Sequence, residues 1–174
     1  MEGAGSQRVS PLFRTGLIAA VAALVLDQAS KLWLLNVFEL GPRGTVRITP
    51  FFDLVLAWNT GISYGWFQDT GPVGQTVLLA FKALAIIVLG VWMARSGTRL
   101  AVIGLGLIIG GAIGNTIDRL AYGAVVDFAL FHAEIGGKTY NWYVFNLADV
   151  AIVAGVAALL YDSFVIPDAA KRPR

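Results

Sequence analysis

Residues 145–160 read "FNLADVAIVAGVAALL", a run apolar enough to cross a bilayer that nonetheless carries Asn146 and Asp149 in its opening turns. An ionisable side chain inside a membrane helix costs on the order of 3 kcal/mol even on lenient insertion scales. Asp149 therefore needs a compensating partner. No cation follows it for many residues along its own segment, so the partner must come from elsewhere in the fold.

The rest of the chain fits a membrane setting. Hydrophobic residues make up 57% of the 174 and charged ones only 14%, against about a quarter charged in ordinary soluble domains. The length predicts a single integral membrane domain. A net charge of +2 without a basic block argues against a nucleic-acid partner. With no cysteine, disulfides, thiolate catalysis and Cys-based metal sites are excluded. A single histidine, His132, makes a His-rich metal centre or a Ser-His-Asp triad a poor fit, and neither metal nor cofactor is expected.

Near the start, Arg14 followed by "TGLIAAVAALVL" and "DQAS" imitates a cleavable signal peptide. "KLWLLNVF" continues the apolar pattern beyond Lys31, however, so residues 15–38 read as an uncleaved first span, roughly 20 residues being enough to cross. Further spans are expected at about 73–94, carrying Lys82, at 100–117, and at 142–161. Four spans put both termini on one side. Arg8, Arg14, Arg95, Arg99, Lys171, Arg172 and Arg174 share that side, while the longer opposite segments hold only Arg43, Arg47, Arg119 and Lys138. The lysine and arginine bias predicts N-in, C-in.

Residues 39–72 read as a β-rich insert on the outer surface. "TVRI" alternates, Pro50 interrupts, and "FFDLVLAWN" is rich in β-formers, with "GISYGWF" following. Phe51, Phe52, Trp58, Trp66 and Phe67 suit either the headgroup layer or the core of such a sheet. Gly106, Gly110 and Gly114, spaced by four, let helices approach closely.

At about 1.5 Å per helical residue, Asp27, Asp118, Asp127 and Asp149 all fall in the outer third of the membrane or at its surface. Asp27 and Lys31 are i, i+4 neighbours, which suits a structural ion pair. Asp118 beside Arg119 suits either an interfacial anchor or a site role. Asp127 alone would be an ordinary loop acid, and Lys82 reads as snorkelling to an interface. Two carboxylates without a dedicated cation, Asp127 and Asp149, suggest a pair sharing one proton, because repulsion and desolvation raise one pKa. The ionised member can act as general base on water while the protonated one hydrogen-bonds a carbonyl oxygen. That is amide hydrolysis without Cys, His or metal.

The motifs "DQASK" (27–31), "NTGISYG" (59–65), "GAIGNTIDR" (111–119), "GAVVDF" (123–128) and "FNLAD" (145–149) resemble, in order, those of bacterial lipoprotein signal peptidase, or signal peptidase II. The resemblance implies a four-transmembrane-helix bundle with a small extracytoplasmic β-sheet cradle, otherwise all-α, in the bacterial inner membrane. It implies an aspartic endopeptidase that cuts diacylated prolipoproteins just before the lipidated cysteine, and membrane lipid as a partner. Globomycin-type cyclic peptides are the implied inhibitors. Asp127 and Asp149 would be the catalytic dyad. Asn59, Gly111, Asn115, Asp118, Arg119 and Asn146 would support the site or bind substrate, and Asp27 and Lys31 would brace it. Ile62, Ser63 and Tyr64 depart from the smaller residues and Phe common in the family, and Tyr143 from a frequent Pro. A small proton-coupled transporter is the competing expectation, since membrane acids mark ion paths; it calls for polar residues through the full bilayer depth, whereas the inner halves of the last two spans are apolar. A non-catalytic assembly subunit built on close glycine packing is a further alternative.

Overall fold

Ser10 starts the first helix: its Oγ accepts the Phe13 N–H at 3.1 Å, and Pro11 takes the first helical position, where a missing N–H costs nothing. In this computed structural model, which describes residues 10–60 and 71–165 with the side chains of 71–78 apart, α1 runs Pro11–Asn36. A short α2 (Leu40–Arg43) leads to β1 (Val46–Thr49) and β2 (Phe52–Asn59). Then come α3 (Gly71–Arg95), α4 (Arg99–Tyr122), β3 (Val125–Ile135), β4 (Lys138–Phe145) and α5 (Leu147–Val165). All of "GISYGWF", with Trp66, Phe67 and the departures at 62–64, lies outside the described residues.

Among the described residues α1, α4 and α5 are long and apolar enough to cross a membrane. α4 is central, packing against α1 on one side and α5 on the other, with α3 on a third face. Ala20, Met93, Val102, Leu105 and Ile109 form the buried cluster between these helices, while Ile18, Val21, Leu26, Val153 and Phe164 are exposed, as lipid-facing positions would be. The glycine spacing has a direct steric cause. A Cβ at Gly106 would strike the Gly16 carbonyl, one at Gly110 the Ala20 carbonyl, and one at Gly114 the Asp27 carboxylate.

The four strands form one antiparallel sheet in the order β1-β2-β3-β4. Its first half lies where β-formers flank Pro50. Its second half corrects the expected last span: Trp142–Phe145 are not helix but the end of β4, with Val144 and Phe145 opposite Leu130 and Ala129. Hydropathy counts "WYVF" as apolar and is blind to its β-branched and aromatic preference for strands. The β3–β4 hairpin turns on Gly136 and Gly137, whose φ values of 60° and 74° suit a tight two-residue turn. Leu34, Leu40, Phe128 and Ala129 seal the sheet onto the end of α1.

Gly110→Val should force α1 off α4. The melting temperature in detergent should fall, by an amount equivalent to at least the roughly 1–3 kcal/mol typical of overpacking a tight interface. An unchanged melt would contradict the close approach.

Candidate active site

Asn146 and Asp149 build the start of α5 between them. The Asn146 Oδ1 accepts the Asp149 N–H at 3.0 Å, and Asp149 Oδ2 accepts the Asn146 N–H at 3.2 Å. This is a reciprocal capping box, readable as N-x-x-D. It places Asp149 in the first turn of α5, three residues past Asn146. A second acceptor reaches the same helix end from α1: Asp27 Oδ1 takes the Ala148 N–H at 2.9 Å. A methyl group at Gly111 would collide with the Ala148 carbonyl, so only glycine lets α4 approach this end of α5 so closely.

Asp127 arrives by strand register. It stands opposite Ala57, and Asn59 lies two residues along β2 on the same face, diagonal to Asp127. Asn59 Nδ2 donates to Asp127 Oδ2 at 3.0 Å, and Asn146 Nδ2 donates to Asp127 Oδ1 at 2.6 Å. Asn115 Nδ2 donates to Asp149 Oδ1 at 3.0 Å. The remaining amide bond ties the two arms together: Asn146 Nδ2 also reaches Asn115 Oδ1 at 3.1 Å. The two carboxylates are thus held by a pair of linked asparagines.

Behind them sits a buried charge cluster. Lys31 Nζ lies 2.8 Å from Asp27 Oδ2, 2.8 Å from Asp118 Oδ2 and 3.0 Å from Asn115 Oδ1. All three of its donors have acceptors. Asp118 also accepts the Val126 N–H at 3.1 Å, which pins β3 against α4. Asp118 is therefore not an interfacial anchor paired with Arg119; it is fully buried and faces Lys31. Arg119 Nη1 donates to the Asn115 carbonyl at 3.2 Å, and its charge acts on Asp118, Asp127 and Asp149. Sequence reasoning missed Gln28, whose Nε2 bridges Asp27 Oδ2, the Gly114 carbonyl and Asp118 Oδ1 at 3.2, 3.2 and 2.9 Å. Its neighbour Asp27 drew attention; an uncharged amide gave no signal. His132 stands apart, buried in the sheet with Nε2 3.2 Å from Asp53.

A cavity of about 1220 Å³ opens over the acids. Asn59, Asp127 and Asp149 line its polar end; Trp58, Trp142 and Tyr143 line its rim on the sheet, and Val150, Val153, Ala154 and Ala157 continue it along α5. Burial pushes the Asp127 carboxyl up to about 6, with the Asp149 charge adding to the rise, while the Asn59 and Asn146 hydrogen bonds and Lys31 oppose it. Two acids at the polar end of a mostly apolar cleft can divide proton-accepting and proton-donating work.

The fold is that of a membrane enzyme. It superposes on a bacterial membrane enzyme solved at 2.3 Å with a TM-score of 0.70 and 25% identity, covering 89% of this chain and 93% of the other. A second such structure, at 1.9 Å, gives 0.71 over 88% and 95%, at 24% identity. The sequence model of the family described as "Signal peptidase (SPase) II" matches residues 19–165. The chain is 74% identical to the lipoprotein signal peptidase of Nitrobacter hamburgensis over 95% of its length and 100% of that protein's, and 73% identical to that of Rhodopseudomonas palustris strain CGA009 over 92% and 98%. This chain belongs to the signal peptidase II family, and signal peptidases II are proteases.

The raised Asp127 carboxyl has a stability consequence. A carboxyl whose folded pKa exceeds its ordinary 3.8 favours folding most at low pH, and that contribution is lost as pH rises through about 6. Groups common to both proteins cancel between wild type and Asp127→Asn. The melting temperature of the variant relative to wild type should therefore climb from pH 4 to pH 7; a flat difference would contradict the burial of this acid.

Proposed function

We propose that this protein removes the signal peptide from diacylglyceryl-modified prolipoproteins as an aspartic endopeptidase, cutting just before the lipidated cysteine, with Asp127 and Asp149 as its catalytic pair. The observation that carries the reading is the linked pair of asparagines, which holds both carboxylates at the polar end of one cavity. Asp149 acts as the base. The N-terminus of α5 favours negative charge there, and Asn146 and Asn115 direct its oxygens. It takes a proton from a water, whose oxygen attacks the scissile carbonyl. Asp127, whose carboxyl is pushed up by burial, donates its proton to the carbonyl oxygen. Collapse of the tetrahedral intermediate reforms the carbonyl and breaks the C–N bond: Asp127 takes back a proton from a hydroxyl of the intermediate, and the proton held by Asp149 passes to the departing amine of the cysteine.

The supporting roles follow from position. Asn59 and Asn146 orient Asp127, and Asn115 orients Asp149. Asp27, Lys31 and Asp118 brace the helices behind them, Arg119 supplies positive charge beside both acids, and Gly111 gives α5 room. The apolar length of the cavity along α5 suits acyl chains or an apolar signal segment lying in the bilayer, each buried methylene contributing roughly 0.8 kcal/mol. α3 serves as a fourth span, giving N-in, C-in topology in the inner membrane with the acids near the outer face. Cyclic peptides of globomycin type would compete for the same cleft.

Purified Asp127→Asn and Asp149→Asn should fold yet lose cleavage of a diacylated prolipoprotein by about 10⁴-fold or more. A substrate with an unmodified cysteine should not be processed by the wild type. Activity surviving in either variant would remove that residue from the pair.

A further inference from the structure

The cleft has two arms that meet at the acids. One runs along α5 past Val150, Val153, Ala154 and Ala157; the other runs along the sheet past Phe131 and Trp142. The sheet arm continues further. A second cavity, of about 390 Å³, shares Phe131 and Trp142 with the first and extends to Phe51, Ala133 and Tyr140. Its four aromatic side chains are all exposed. A break in strand register makes the junction. Leu130 stands opposite Val144 and His132 opposite Asn141, so Trp142 and Tyr143 together face the single residue Phe131. Consecutive strand residues ordinarily point to opposite faces, and a bulge re-aims one of them. Here Trp142 and Tyr143 both line the cleft, in edge contact at 5.4 Å, and Trp142 lines the second cavity as well. Phe131 is wedged between Phe52 and Phe145, with ring centroids 5.1 and 5.6 Å away.

We infer that the second cavity is a subsite for the substrate chain downstream of the lipidated cysteine, taking it in extended form about four to six residues past the cut bond. This rests on the prolipoprotein reading above. A peptide bond held at Asp127 and Asp149 must continue in both directions from the acids. The α5 arm is apolar and follows a helix long enough to cross a membrane, which suits the signal segment and the acyl chains. The sheet arm is left for the segment that leaves the bilayer. Phe131 stands four residues beyond Asp127 on β3, and Ala133, opposite Tyr140, stands six beyond it. At roughly 3.3 Å per strand residue the second cavity begins about 13 Å from that acid and ends about 20 Å from it, which sets the length of chain needed to reach it. Aromatic faces supply contact area without demanding one particular side chain. A subsite that receives the downstream segments of different proteins needs that tolerance.

The test is KM and kcat of the purified full chain on two diacylated prolipoprotein substrates, one ending about two residues after the cysteine and one carrying about ten, with melting temperatures alongside. Wild type should show a KM about tenfold lower for the long substrate at a similar kcat. Two variants change residues that line the second cavity and not the cleft. Phe51→Ala combined with Tyr140→Ala removes its walls, and Ala133→Trp fills it without removing a core side chain. Each should reduce the advantage of the long substrate to within about twofold. Equal KM for the two substrates in wild type, or an advantage that survives in Ala133→Trp, would overturn the inference. So would a loss falling equally on both substrates, the result expected if the aromatic patch only seats the sheet on lipid headgroups. If wild type cuts neither substrate, the prolipoprotein reading itself fails; if it cuts both with one KM, only the subsite fails.

Discussion

Lys31 is buried with an ammonium that touches Asp27, Asp118 and Asn115, and that contact ties α1 to α4. An ion taken out of water loses several kcal/mol of solvation, and a buried pair recovers this only with good geometry and full hydrogen bonding. Here every donor of Lys31 has an acceptor, and the acceptors bring further partners. Asp27 turns its second oxygen to the Ala148 N–H at the start of α5, and Asp118 accepts Val126 N–H from β3. One charge cluster therefore joins α1, α4, α5 and the sheet. Gly114 is a glycine because the Asp27 carboxylate occupies the space a side chain would need.

The division between the bracing groups and the proposed reacting pair follows. The cluster in which Lys31 meets Asp27 and Asp118 lies behind, away from the cavity; the two acids that line the cavity are held through neutral amides instead. Amides fix the direction of a carboxylate without supplying a full counter-charge, which leaves the acids free to exchange protons. Strand register supplies the remaining precision: Asn59 reaches Asp127 only because the two lie diagonally on one face of the β2–β3 pair.

Much of this was legible in the residues. The apolar runs located α1, α4 and the body of α5, and the uncompensated acid in "FNLAD" pointed to a partner on another segment. The i, i+4 spacing of Asp27 and Lys31 matches the ion pair they make. What was not legible is long-range. Nothing local says that Asp27 caps a helix more than a hundred residues away, or that Asp118 faces Lys31 rather than Arg119. Residues 138–145 were obscured because aromatic strand residues score as membrane-like, so Asp149 was expected two turns into a helix whose first turn it occupies. The Asn146–Asp149 capping box was present in the sequence and would have set that boundary.

In the mechanism proposed for this site, two carboxylates activate water directly and no covalent bond forms between enzyme and substrate. A single turnover in ¹⁸O-labelled water, followed by mass spectrometry of the released signal peptide and of the enzyme, distinguishes this from a covalent route. Direct attack puts the label in the new C-terminal carboxylate of the signal peptide and none in the side chains of Asp127 and Asp149. Label in either aspartate, or a trapped acyl-enzyme, would refute direct attack.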